Sequence, residues 1–212
     1  MQRSAHDQAY LRSLLARRNQ DEALQAHIDA EIEAAFVRQV AILVLDMCGF
    51  TSTTSRHGII HFLAMVHQME QAARPAVEAN GGEVVKQEAD NLFAVFTEPT
   101  HALEAALDIR RALDAMNAVR PPQSALYASM GIGYGRALVV AHTDLYGAEM
   151  NFACKLGEDV AGPGEILLTS AATEALAPGR YRLAEITPVV GGVAQNAYAL
   201  QACLVERPLA GP

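Results

Sequence analysis

Two aspartates stand where a small ligand-binding site would be built. Asp46 directly follows the apolar run 40–45 (VAILVL), which is typical of a strand buried on both faces. Asp90 lies in the turn between two later predicted strands. Carboxylate oxygens are good ligands for Mg²⁺ and Mn²⁺, and the backbone N–H groups around Gly49 could cradle phosphates. The pattern predicts a divalent-cation site beside a phosphate-binding loop.

Spacing alone leaves an ordinary structural role for Asp46 and Asp90 equally open. Aspartate is common at caps and turns, because its side chain accepts hydrogen bonds from nearby backbone N–H groups. A metal site also requires the two carboxylates to lie close together. In a ferredoxin-like sheet the first and third strands are neighbours, so the end of the first strand and the turn entering the third share one edge.

Changes of hydrophobic period predict the elements that position these residues. Residues 1–39 lack glycine and proline and are rich in helix-forming residues, which predicts a helical N-terminal segment. The elements predicted next are a strand at 40–45, a helix at 59–79 ended by Asn80-Gly81-Gly82, strands at 83–86 and 92–96, and a helix at 99–116.

The second half of the chain is predicted to contain shorter elements. They are strands at 125–132 and 137–141 around a glycine turn, a helix at 147–156, a strand at 165–168, a helix at 170–176 and a hairpin of 181–185 with 196–201. Their order predicts an α+β fold, with a ferredoxin-like βαββαβ core and extensions. We divide the chain into the N-terminal helical segment 1–39 and one domain at 40–205.

Composition narrows the class of protein. The chain has 212 residues, is 51% hydrophobic and carries a net charge of -8, so it has ample material for a core. It has no long basic tract, which argues against nucleic-acid binding. An odd number of cysteines without metal-ligand spacing, no membrane-length apolar run and no secretory signal predict a cytoplasmic protein without membrane insertion.

Five short motifs occur in order between about residues 38 and 201. They are Asp46-Met47-Cys48-Gly49-Phe50-Thr51; Gly81 to Phe96, with Lys86 and Asp90; Met130 to Gly135; Asp144 to Leu156, with Gly147 and Asn151; and Pro163 to Leu167. The first resembles D-[IM]-x-G-F-T and the last is similar to P-G-E-I-L, both motifs of the class III nucleotidyl cyclase catalytic domain. The whole set resembles that family.

The resemblance implies a reaction in which the 3′-hydroxyl of a nucleoside triphosphate attacks its own α-phosphorus, releasing pyrophosphate and forming a 3′,5′-cyclic nucleotide. It implies that Asp46, Asp90 and the carbonyl of Met47 hold two Mg²⁺ or Mn²⁺ ions. One ion would activate the 3′-oxygen and the other would hold the triphosphate. The phosphate-binding residues that it implies are Cys48, Gly49, Phe50 and Thr51.

Two further positions imply a preference for ATP. Lys86 and Asp144 match the family's purine-selecting pair, in which lysine donates to an adenine ring nitrogen and the carboxylate accepts from the 6-amino group. Guanine presents the opposite pattern at that edge and would leave polar groups unpaired. Taken singly, a solvated strand lysine and a loop aspartate are the ordinary interpretations.

The helix after Asp144 carries the remaining implied catalytic residues and a departure. Asn151 would orient the ribose, and Lys155 stands where the family usually has an arginine that stabilises charge at the α-phosphate. Lysine keeps the charge but loses the planar fork, so we expect lower activity or a need for Mn²⁺. No lysine follows Lys155, so a triphosphate contact that the family often makes is missing or is made by Arg180 or Arg182.

The family shares each site between two chains, which implies an active homodimer and an inactive monomer. The segment 1–39 would then dimerise the chain or transmit a signal. Two rivals stay open: a cyclase for GTP or a pyrimidine triphosphate, and a weakly active nucleotide-binding regulatory module. Lys155 and the missing C-terminal lysine favour the second rival, whereas Asp46 and Asp90 oppose it.

Overall fold

Two helices precede the sheet. The structure, a computed structural model, describes residues 7–49, 55, 58–121 and 124–205. Helices α1 (Gln8–Gln20) and α2 (Gln25–Phe36) confirm the predicted helices of the N-terminal segment. Their apolar faces pack with the end of a later strand into a separate small core, whose fully buried members include Leu14, Ile28, Phe36 and Val140.

The central strand is β1 (Val37–Met47), which begins directly after α2. Its apolar run is buried on both faces, as the sequence predicts. The residues that face the larger core are Ala41, Leu43, Leu45 and Met47, and those that face the opposite core are Val40, Ile42 and Val44.

The ferredoxin-like core is confirmed. After β1 come α3 (Ile59–Ala79), β2 (Glu83–Glu88), β3 (Asn91–Phe96), α4 (Pro99–Asn117) and β4 (Ala128–Val140). The strand order is β2-β3-β1-β4 and every pair is antiparallel. Helices α3 and α4 cover one face, and α3 ends at the predicted stop, where Gly81 adopts a φ of 73°. This topology places the end of β1 beside the start of β3.

Strand β4 corrects one prediction. The stretch Gly133-Tyr134-Gly135-Arg136 is not a turn between two strands, because β4 pairs with β1 through it without a break. The glycines make room for a helix that crosses β4. A Cβ at Gly133 would lie 2.7 Å from the carbonyl oxygen of Glu149, and one at Gly135 would lie 2.6 Å from its side chain.

The rest of the chain consists of shorter elements, several of which widen the sheet. They are β5 (Asp144–Tyr146), α5 (Ala148–Lys155), a π-helical turn (Leu156–Val160), β6 (Ile166–Thr169), α6 (Ser170–Glu174), β7 (Tyr181–Ile186), β8 (Val189–Val190), β9 (Val193–Ala194) and β10 (Ala197–Cys203). The strand order of the widened sheet is β2-β3-β1-β4-β6-β10-β7, with β6 parallel to β4 and β5 paired to β4. None of the helices in the described ranges is both long and apolar enough to cross a membrane.

Candidate active site

The two aspartates meet at one edge of the sheet. Asp46 is opposite Asn91 in the β1–β3 ladder, and the N–H of Met47 donates to the backbone carbonyl of Asp90 at 3.3 Å. Between β2 and β3, Ala89 adopts a φ of 52°, a conformation that favours glycine. Ala89 carries a side chain that glycine lacks, so the turn keeps this shape at some cost in strain. The topology therefore brings both predicted ligands together.

Negative charge accumulates around Asp46. Burial, together with the charges of Asp90, Glu158 and Asp159, raises the pKa of Asp46 from 3.8 to about 7. A half-buried carboxylate with anionic neighbours is the environment that a divalent cation relieves. Among the described residues, no group of three or more His, Cys, Asp or Glu side chains is arranged as a complete metal site. Mg²⁺ usually takes one or two carboxylates and completes its shell with water and substrate phosphates, so the pair fits this ion.

Glu158 is a residue of this edge that the sequence analysis missed. It lies in the π-helical turn after α5, and the Asn91 amide donates to its Oε1 at 3.1 Å. Its side chain reaches the surface, but partial burial raises its pKa. The charge of Lys155 lowers this pKa, whereas the charges of Asp159 and Asp90 raise it. Its spacing of three residues from Lys155 is the sequence signal that could have placed it on that side of the helix.

The predicted phosphate loop is described only in part. The N–H of Cys48 donates to the carbonyl of Tyr127 at 2.9 Å, and Gly49 has a φ of 93°, which glycine adopts without strain. Burial raises the pKa of the Cys48 thiol, so this cysteine is not an activated nucleophile. Phe50 and Thr51 lie outside the described residues.

Lys86 and Asp144 form an ion pair across two strands that are distant in sequence. Lys86 Nζ is 2.9 Å from Asp144 Oδ1 and 3.0 Å from Glu88 Oε2, and it lies 4.6 Å from the centre of the Phe93 ring. Both members of the pair are largely shielded, with side-chain exposures of 19% and 24%. The structure thus joins the two residues that the sequence singles out for base recognition.

Asn151 and Lys155 are both exposed on α5, one helical turn apart. Lys155 Nζ is 2.9 Å from Asp159 Oδ2, so the lysine that replaces the family's arginine is paired within its own chain. Arg180 is also engaged, because its guanidinium donates to buried Glu104 at 2.6 Å. Arg182 is exposed on β7.

Cys154 lies within the electrostatic influence of both Glu158, at the carboxylate edge, and Lys86, in the ion pair with Asp144. Burial and, to a lesser extent, the charge of Glu158 raise its pKa to about 11, and the charges of Lys86 and Lys155 oppose this shift. Cys154 packs on the sheet face opposite α3 and α4. The carboxylate edge and the Lys86–Asp144 pair therefore lie within electrostatic range of the same helix.

This α+β fold, with carboxylates at the end of β1 and a Lys–Asp pair across β2 and β5, is the architecture of a nucleotidyl cyclase domain. The family model "Adenylate and Guanylate cyclase catalytic domain" matches residues 32–201, and the chain belongs to this family.

Named relatives agree with this assignment. A putative adenylate cyclase 3 of Rhizobium meliloti is 26% identical over 62% of the chain, and an adenylate cyclase of Anabaena cylindrica is 30% identical over 53%. The matches span only 22% and 24% of those proteins. A crystal structure of an adenylate/guanylate cyclase/hydrolase from Silicibacter pomeroyi superposes with a TM-score of 0.66 at 21% identity, covering 77% of this chain and 96% of that one, which shows the same fold.

Proposed function

We propose that this domain converts ATP into 3′,5′-cyclic AMP and pyrophosphate, at sites shared between two copies of the chain. The observation that carries the choice of base is the Lys86–Asp144 pair, with 2.9 Å between Nζ and Oδ1. Adenine offers an acceptor ring nitrogen and an amino donor to such a pair. Guanine would set its carbonyl oxygen against Asp144 and its ring N–H against Lys86, leaving both unpaired.

The remaining roles follow from position in the family fold. Asp46, the carbonyl of Met47 and Asp90 would hold two Mg²⁺ or Mn²⁺ ions, which lower the pKa of the 3′-hydroxyl and neutralise charge on the triphosphate. The loop 48–51 would bind phosphate oxygens through its backbone N–H groups. From the other chain, Asn151 would orient the ribose and Lys155 would stabilise charge at the α-phosphate.

Two broader proposals accompany this function. The catalytic unit is 40–205, and the segment 1–39 dimerises the chain or transmits a signal to it. A cytoplasmic location suits an enzyme that consumes ATP, and the three free cysteines agree with a reducing compartment.

A second candidate is a weakly active regulatory module that binds a nucleotide. The Lys155–Asp159 pair favours it, because Lys155 must leave an intrachain partner before it can reach a phosphate. The pair is exposed on both sides, so the free-energy cost of breaking it is small. Metal and nucleotide binding without product would distinguish this candidate from a cyclase.

The decisive experiment is a competition assay on the purified full chain. ATP, GTP, CTP and UTP are supplied together with Mn²⁺, and the cyclic products are separated by chromatography. We expect cyclic AMP to dominate, to vanish in Asp46→Ala and to persist in Asp114→Ala, which removes an exposed carboxylate from α4. A different cyclic nucleotide would overturn the roles of Lys86 and Asp144. No product from a dimeric protein would favour the regulatory module.

A further inference from the structure

Asp144 has a third partner that the sequence does not single out. The hydroxyl of Tyr146 donates to Asp144 Oδ2 at 2.7 Å, while Lys86 and the backbone N–H of Leu145 occupy Oδ1, each at 2.9 Å. Both carboxylate oxygens are therefore held, and rotation of the carboxylate would break one contact or another. The donors also keep Asp144 ionised, because together they lower its pKa against the opposing effect of burial.

Core packing does not account for the position of Tyr146. Its ring is 49% exposed, and it belongs to none of the hydrophobic clusters of the described residues. The hydroxyl points back along β5 to the carboxylate two residues earlier. A tyrosine with this geometry holds an acceptor in place, which is a positioning task.

We propose that Tyr146 is a positioning residue for base selection, which fixes the Asp144 carboxylate so that it presents an acceptor to the amino group of adenine; this inference rests on the proposed function. The hydroxyl oxygen of Tyr146 keeps its own lone pairs after it donates to Asp144. The base amino group therefore meets two acceptors. While the hydroxyl donates to Asp144, a guanine carbonyl in the same place would meet two acceptors and no donor.

Loss of the hydroxyl has a directional consequence. In Tyr146→Phe the ring stays, but Oδ2 of Asp144 loses its donor and the carboxylate can turn towards Lys86. Oδ2 as well as Oδ1 then becomes available to Lys86, which strengthens the existing Lys86–Asp144 pair at the expense of the base. One hydrogen bond to a charged group corresponds to about tenfold in binding. The effect should fall on ATP binding and not on the chemical step, since the hydroxyl of Tyr146 donates to Asp144, which is proposed to face the base.

The test compares kcat and KM for ATP and for GTP, each alone with Mn²⁺, in the wild type and in Tyr146→Phe. For the variant we expect the KM for ATP to rise about tenfold, kcat to stay within about twofold, and the ATP-to-GTP ratio of kcat/KM to fall. Tyr198→Phe, on β10, is the matched control and should keep the wild-type ratio. Thermal unfolding of both variants verifies that each is folded.

The outcomes separate the two proposals. If the wild type makes cyclic AMP and Tyr146→Phe has the same KM and the same nucleotide ratio, the inference about Tyr146 is wrong and the proposed function stands. A variant whose kcat falls equally for both nucleotides would assign Tyr146 a merely structural role and also overturn the inference. If the wild type prefers GTP or makes no product, the proposed function is wrong, and the inference about Tyr146 is then wrong as well because it rests on that function.

Discussion

At the scale of single residues, the candidate site is a set of charges held in partly unfavourable surroundings. Asp46 is half-buried with three carboxylates acting on it, whereas Lys86 and Asp144 satisfy each other. The first arrangement destabilises the metal-free protein and the second does not. This difference is expected if the aspartates face a ligand that is itself strongly charged.

Asp46→Asn should stabilise the metal-free protein at alkaline pH. The pKa of Asp46 is raised from 3.8 to about 7 on folding, so its ionisation costs stability as the pH rises between those values. With a chelator at pH 8, we expect the variant to exceed the wild type by roughly 1–2 kcal/mol, a figure reduced for the half-exposed site. Urea unfolding at pH 8 and at pH 5, where the gap should narrow, measures this.

Added Mn²⁺ supplies the internal control for Asp46→Asn. The ion should stabilise the wild type and act weakly on the variant, because it binds the folded carboxylate pair. A wild type that is the more stable of the two at pH 8 without metal would contradict the electrostatic account of this edge.

The sequence predicts which residues form the candidate site better than it predicts the side chains that these residues contact. Asp46 and Asp90 could be paired because the strand order follows from apolar runs and turns. The strand order does not identify Glu158 and Tyr146, because their contacts depend on the positions of the π-helical turn and of β5 in the folded chain. Likewise, the pairing of Lys155 with Asp159 depends on the geometry of one helix end.

At the scale of elements, the packing of α5 on β4 controls where Asn151 and Lys155 lie. Gly131 faces the backbone of α5 and of the π-helical turn, and a Cβ there would lie 2.8 Å from the N atom of Gly157 and far inside contact with the carbonyl oxygen of Ala153. Both neighbours are main-chain atoms, so a side chain cannot turn aside to make room. The helix itself would have to move.

Gly131→Ala should therefore impair both stability and activity. We expect a loss of about 2–3 kcal/mol in the free energy of unfolding from overpacking, and a fall in kcat for the fraction that stays folded. Gly162→Ala is the matched control, because its Cβ would meet the nearest atom, Glu165 Oε2, at an ordinary 3.5 Å. Urea unfolding and turnover at saturating ATP and Mn²⁺ test both variants. Equal stability of the two would contradict the tight α5–β4 contact.

The sequence predicts the long helices and strands, but it does not predict where a helix packs closely against a strand. Apolar periodicity predicts α3 and α4 nearly to their ends, because each buries a wide face. It predicts only the middle of β1, which begins at Val37, inside the segment predicted to be helical, and ends at Met47. The turn predicted at the glycines of β4 is wrong, because the sequence does not distinguish a glycine that makes room for a neighbouring helix from one that bends the chain. The short strand β5 was missed altogether. It is held by pairing to β4 and not by its own composition.

At the scale of the whole molecule, one chain carries two unlike groups of candidate functional residues. The carboxylates lie at the end of β1, and the Lys86–Asp144 pair with Asn151 and Lys155 belongs to β2, β5 and α5. The chain is acidic overall, with a net charge of -8, so the proposed triphosphate substrate would need metal ions and these lysines to approach it. The proposed homodimer would set one chain's carboxylates opposite the other chain's base-recognising residues.

Mixing two inactive variants tests this arrangement. Asp46→Ala and Asn151→Ala each break both sites of their own homodimer, but a mixed dimer keeps one intact site, with Asp46 from one chain and Asn151 from the other. One of the two sites of a purified mixed dimer is intact, so about half of the wild-type activity per dimer should return.

The matched control for this test mixes Asp46→Ala with Asp90→Ala. Both changes fall in the same group of residues, so every site of a mixed dimer lacks one aspartate and no activity should return. The two pairs are co-expressed with different tags, the mixed dimers are purified, and cyclic AMP formation is measured. Recovery in both mixtures, or in neither, would contradict a site that is divided between two chains.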